Sequence, residues 1–189
     1  MRIGITGGIG SGKSYVCHIL AQQLGVPCYD CDREAKRLMH ASPELRQQLQ
    51  ALVGAEVYDA DGQLDKAVMS RYLFADAAHA ARVNAIVHPA VKADFLAWVA
   101  QQTTDVLMES AILVEAGFRD AVDKLIVVEA PLELRIRRAM QRDGASREQV
   151  EARIRQQLPA EELCKQADFI VLNDGRDLAA QLRRLGIKD

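Results

Sequence analysis

A cationic excess is the first thing this chain lacks: 24 lysines and arginines stand against 26 aspartates and glutamates, for a formal net charge of −2 over 189 residues. Such a balance provides no overall field for holding a polyanion such as DNA, although a local basic patch can still take a small phosphorylated ligand. Cysteine is scarce too. Cys17, Cys28, Cys31 and Cys164 are too few for a disulfide framework in a chain of this size, and we expect reduced thiols. Cys28 and Cys31 form a C-x-x-C, but no second ligand pair follows for zinc and the surroundings are not those of a thioredoxin-like unit, so the spacing reads as coincidence. No apolar run reaches the roughly 18 residues of a membrane-crossing helix. Met1 leads straight into Arg2-Ile3-Gly4-Ile5, without the apolar stretch and cleavage site of a signal peptide. The expectation is a cytoplasmic protein with no nucleic acid, membrane or obligate protein partner.

What is present is a globular composition, 49% hydrophobic and 26% charged, sufficient for one sizeable core and one domain spanning 1–189. Ile3 to Thr6 reads as a strand, and Lys13 to Leu24 as a helix with Val16, Ile19, Leu20 and Leu24 at helical spacing. Gly25-Val26-Pro27 ends that helix and returns the chain to a short strand at Cys28-Tyr29, which closes with Asp30 and Asp32. Residues 33–102 read as a helical lobe with breaks at Ser42-Pro43, Asp59-Ala60-Asp61-Gly62 and His88-Pro89. Val106 to Met108 and Leu125 to Val128 are unbroken apolar runs, the pattern of parallel strands buried on both faces. Leu132 to Arg142 and Ser146 to Leu158 are charged helices within a lid spanning 135–165. Phe169 to Leu172 is a last strand, and Leu178 to Leu185 a terminal helix.

The chemistry begins at Gly7-Gly8-Ile9-Gly10-Ser11-Gly12-Lys13-Ser14, which satisfies G-x-x-x-x-G-K-[ST] between a predicted strand and a predicted helix. Gly8, Ile9, Gly10, Ser11 and Gly12 offer backbone N–H groups around a phosphate, and the positive end of the following helix adds to that field. Lys13 bridges β and γ oxygens, and Ser14 offers a hydroxyl to Mg²⁺. The loop implies ATP or GTP chemistry in general. A GTPase needs an N-K-x-D, which is absent, and Asp59 to Gly62 matches D-x-x-G only as a polar turn.

Asp30 and Asp32 end the second strand, where open parallel sheets collect ligands, and alternate residues of an extended segment face one side. One of them can take the proton of an acceptor hydroxyl, while helix capping by Asp32 is the structural alternative. Arg135, Arg138 and Arg142 share a helical stripe, and Arg142, at the helix end before Gly144, is the expected phosphate ligand. Glu109 closes a strand where a carboxylate can hold a Mg²⁺-bound water. Three readings fit so far: a small-molecule kinase, a kinase for a nucleoside monophosphate or other hydroxyl metabolite, and a noncatalytic nucleotide-binding regulator.

Together the motifs resemble those of the dephospho-coenzyme A kinase family over nearly the whole chain. The resemblance rests on Ile5 through Ser14, Asp30-Cys31-Asp32, Asn84-Ala85-Ile86-Val87-His88-Pro89, Arg142-Asp143, Arg153-Ile154 with Gln157, and Ala167 through Gly175. It implies an α/β P-loop kinase fold, a parallel sheet flanked by helices, with a helical substrate lobe and a helical lid. It also implies phosphoryl transfer from ATP to the ribose 3′-hydroxyl of dephospho-coenzyme A. By the same resemblance Asp32 is the base with Asp30 in support, Arg142 reaches the phosphates, Asn173 belongs to the loop around adenine, and Thr6, His88 and Pro89 line the acceptor site. Three positions depart from the pattern. Tyr15 follows Ser14 where the family has threonine or a small residue, beside the nucleotide; Cys31 replaces an alanine; and Glu109 stands for a shorter aspartate.

Overall fold

The computed structural model describes residues 1–176 and 178–184. They form two compact units, one of Met1–Asp30 with Gln102–Asp189 and one of Cys31–Gln101.

The first unit is built on a five-stranded parallel sheet of order β2-β3-β1-β4-β5. In chain order it comprises β1 (Arg2–Thr6), α1 (Lys13–Leu24), β2 (Cys28–Asp30), then β3 (Val106–Glu109), β4 (Lys124–Glu129), the helices α6 (Leu132–Asp143), α7 (Arg147–Arg155) and α8 (Ala160–Lys165), β5 (Phe169–Leu172) and α9 (Leu178–Arg183). Between β2 and β3 runs the second unit, with α2 (Cys31–Ala41), α3 (Pro43–Val53), α4 (Lys66–Leu73) and α5 (Ala77–Val99).

The central position of β1 explains its sequence. It pairs with β3 through Ile3 and Leu107 and with β4 through Ile5 and Ile126, and all four of these side chains are fully buried. Parallel neighbours need crossovers, which cover both faces and exclude polar side chains from the middle of each strand. Val16, Cys17 and Leu20 of α1 complete this core with Val128, Val171 and Leu182. The edge strand β5 departs from the continuous apolar reading. It has a single neighbour, and Ile170 and Leu172 remain 55% and 42% exposed while Val171 is buried. Of the predicted terminal helix, Leu185 lies outside the described residues.

In the second unit the helix starts are chemical. Ser42 caps α3, accepting from the Leu45 amide with Pro43 in the first turn, Asp65 accepts from the amides of Ala67 and Val68, and Asp76 from that of His79. Asp59 Oδ1 accepts from the amides of Asp61 and Gln63, closing the turn read from Asp59 to Gly62.

Two expectations fail here. The chain does not break at His88-Pro89, because α5 continues through Pro89. A proline inside a helix costs about 3 kcal/mol. The buried stripe of Val83, Val87, Val91 and Phe95, at four-residue spacing, offsets that cost and the pyrrolidine ring stays exposed. Asp32 is likewise not in an extended segment. Helix α2 begins at Cys31, so Asp32 lies in its first turn with Glu34, favoured by the helix dipole, and strand alternation with Asp30 does not apply.

Candidate active site

The glycine-rich loop joins β1 to α1 at the carboxyl end of the sheet, between the strand-end glutamates of β3 and β4. Its shape depends on close backbone approach. At Gly10, with φ +76°, a Cβ would lie 2.1 Å from the Arg135 carbonyl oxygen, and at Gly12, with φ +88°, 2.1 Å from Asn173 Nδ2. At Gly10 a side chain would have to move the backbone of α6, and at Gly12 it would displace the Asn173 side chain, with positive φ favouring glycine at both. Lys13, Ser14 and Tyr15 form the first turn of α1, so their amides lack intrahelical acceptors and form an anion site. Tyr15 is 59% exposed there.

One flank of the loop is made of protein contacts. Arg135 is 8% exposed and donates from Nε to the Ile9 carbonyl at 3.0 Å. Arg138 donates to the Asn173 carbonyl at 3.0 Å, and Asn173 Nδ2 to the Ser11 carbonyl at 2.9 Å. Gln157, from the segment after α7, accepts from the Ile9 amide at 2.8 Å. The Ile9 side chain packs against the small core of Ile136, Ala139 and Val150 that holds α6 to α7. Burial pushes the Glu129 carboxyl up, with Arg135 opposing that shift, and burial likewise lowers Arg135.

The other flank carries a hydroxyl and carboxylates. Ser14 Oγ donates to Glu109 Oε1 at 2.5 Å, and Asp30 pairs in register with Glu109 across β2 and β3. Two adjacent hard oxygen donors, a hydroxyl and a carboxylate, fit Mg²⁺. The hydroxyls of Thr6 and Ser11 are fully buried without a hydrogen-bond partner. An unpaired buried hydroxyl costs about 1–3 kcal/mol, which a phosphate-bearing ligand at this loop would recover.

The structure thus brings together Thr6, the loop from Gly8 to Ser14, Glu109, Asp30 and Asn173 in one unit. Arg142 is elsewhere. It is exposed at the end of α6 and donates to Asp143 at 2.7 and 3.0 Å, while Arg153 holds the same carboxylate at 3.0 Å. Arg135 and Arg138, two turns and one turn earlier on the predicted stripe, contact the loop at the Ile9 and Ser11 carbonyls. Asn173, expected near adenine, donates from its side chain to the Ser11 carbonyl of the loop. Asp32, His88 and Pro89 belong to the second unit, where His88 in α5 is half-buried and burial lowers its pKa. Gln157 and Glu129 were not singled out as site residues. Gln157 had a signal in its place in the family pattern, and Glu129 in its position as a strand-terminal acid.

A family model for dephospho-CoA kinase matches residues 1–178. The chain belongs to the dephospho-CoA kinase family. A dephospho-CoA kinase of Bacteroides fragilis is 50% identical over 177 residues, covering 93% of this chain and 85% of that protein. One from Porphyromonas gingivalis is 44% identical over 175 residues, covering 92% and 86%. A dephospho-CoA kinase from Campylobacter jejuni superposes with a TM-score of 0.69 at 25% identity, over 97% of this chain and 94% of that one. A Thermus thermophilus crystal structure reaches 0.81 at 35% identity, over 98% and 93%. Shikimate kinase from Bacteroides thetaiotaomicron, at 17% identity and a TM-score of 0.57, shares the fold. The fold is therefore that of the P-loop kinases, as the sequence motifs imply. Among the described residues no helix is long and apolar enough to cross a membrane.

Proposed function

We propose that this chain phosphorylates the ribose 3′-hydroxyl of dephospho-coenzyme A with Mg²⁺-ATP, giving coenzyme A and ADP in the last step of coenzyme A synthesis in the cytoplasm. The observation that carries the proposal is the Ser14 hydroxyl bonded to Glu109 at 2.5 Å beside a complete phosphate loop, in a member of this kinase family. Gly8, Ile9, Gly10, Ser11 and Gly12 shape the cradle, Lys13 neutralises the β and γ oxygens, Tyr15 and Asn173 border the nucleotide, and Ser14 and Glu109 hold the metal. Bound Mg²⁺ supplies charge neutralisation on the phosphates.

Asp32 takes the proton of the 3′-hydroxyl as that oxygen attacks the γ-phosphorus and ADP leaves, and Asp30 supports it. Thr6, His88 and Pro89 line the acceptor side. The lid of residues 135–165 excludes water and brings Arg142 to the phosphates, so that little ATP is hydrolysed without acceptor.

ADP release from the purified protein with Mg²⁺-ATP tests this, with dephospho-coenzyme A, AMP, pantothenate or no acceptor. Release only with dephospho-coenzyme A, and a product heavier by one phosphoryl group, is the expected result; release with AMP or pantothenate instead overturns the acceptor. Asp32→Asn should lower kcat by about 10²–10⁴-fold with ATP affinity nearly intact, and undiminished turnover removes Asp32 from its role.

A further inference from the structure

Cys28, one half of the C-x-x-C spacing, also meets a cysteine distant in the chain. Its sulfur lies 2.7 Å from Cys17 Sγ, across the interface of β2 with α1. Both thiols are free cysteines, Cys17 buried and Cys28 half-buried. A carboxylate oxygen of Glu109, from the neighbouring strand β3, joins them, and the three ligand atoms lie within 4.8 Å of one another. All three residues belong to the sheet unit.

We propose that Cys17, Cys28 and Glu109 form an inhibitory site for a soft or borderline d¹⁰ cation of the zinc and cadmium class. Two sulfurs and one carboxylate are a donor set that such ions prefer, whereas Mg²⁺ selects oxygen and keeps its waters. Zinc–sulfur bonds of about 2.3 Å in a tetrahedron set the sulfurs about 3.8 Å apart, inside the 4.8 Å span of the three ligand atoms. The two S–H protons leave to solvent as the ion binds. Among the described residues the cluster has three ligands, and water completes the coordination.

The position gives the site its consequence. Glu109 is also the residue that holds the Ser14 hydroxyl, so a cation drawing the carboxylate toward the sulfurs takes it from the loop. Binding of the ion stands on the three side chains alone. Inhibition rests on the role proposed above for Ser14 and Glu109.

Cadmium is the probe, because thiolate-to-cadmium charge transfer gives a near-ultraviolet band that reports sulfur ligation directly. Under a phosphine reductant, the whole chain should develop this band and saturate at one equivalent of Cd²⁺. Cys28→Ser and Cys17→Ser should each lose at least half of the band, and Cys164→Ser, outside the cluster, should keep it. The half-buried Cys28 provides the variant least disturbing to the core, and an unchanged thermal midpoint certifies its fold. No band in the wild-type chain, or a full band in Cys28→Ser, overturns the site. In the ADP-release assay at saturating Mg²⁺, the inhibitory Zn²⁺ concentration should rise at least tenfold in Cys28→Ser. A band without that shift overturns the inhibition while leaving the site. A chain inactive even without zinc refutes the kinase reading and leaves the cadmium band as the measure of the site.

Discussion

The two flanks of the phosphate loop are built from different material. On the β3 side, Ser14 and Glu109 meet at an exposed edge as a small polar pair. On the β4 side, Arg135 and Asn173 donate to the loop's Ile9 and Ser11 carbonyls, Gln157 accepts from its Ile9 amide, and Arg138 donates to the Asn173 carbonyl behind them. Both neighbouring strands end in glutamate, yet Glu109 accepts a hydroxyl at the loop, whereas burial pushes Glu129 up beside Arg135. The difference separates two tasks that the loop motif merges: one flank presents ligands, and the other maintains shape.

Substitutions can break or sharpen that division. The largest effect should come from Gly10→Ala, because the new Cβ meets the backbone of Arg135 rather than a movable side chain. Displacing the loop by about 1 Å costs on the order of 100-fold in kcat/KM, measured by ADP release. Arg135→Met should destabilise the fold by about 2–3 kcal/mol in denaturant titration, since it deletes the bond to the Ile9 carbonyl and the charge opposing Glu129. Glu109→Gln on the ligand flank should do the reverse, lowering kcat about 10- to 100-fold with the thermal midpoint unchanged. If Glu109→Gln melts the protein while Arg135→Met leaves it stable, the division is wrong.

The smallest effect is a control at the opposite end of the sheet. The Leu125 amide, and then Lys124, hold the Asp168 carboxyl below the usual range. A depressed folded pKa contributes stability that is complete above the unfolded value, near pH 4, and is lost as pH falls toward the folded value. Asp168→Asn should therefore cost about 1 kcal/mol at neutral pH, a difference that shrinks below about pH 4, with nucleotide affinity unchanged throughout.

Much of this molecule is legible in its sequence, for reasons that also mark the limit. The loop motif, the runs Val106 to Met108 and Leu125 to Val128, and the break at Ser42-Pro43 encode local geometry, and local geometry follows from neighbours in the chain. The stripe of Arg135, Arg138 and Arg142 was equally visible. Which of its turns abuts the loop depends on how α6 leaves β4, and no spacing records that. Pro89 misled because a local rule predicts a break where burial of Val87 and Val91 keeps the helix whole. The meeting of Cys17 with Cys28 is made by a crossover and leaves no short spacing in the sequence.

Ile9 is held by its amide through Gln157, by its carbonyl through Arg135 and by its side chain in the core shared by α6 and α7. On the proposal that residues 135–165 are a lid, its opening has to release all three, and loop and lid should then fluctuate as one cooperative unit. The Ile9 amide hydrogen can exchange with solvent only when Gln157 lets go, and that single proton becomes a clock for the lid.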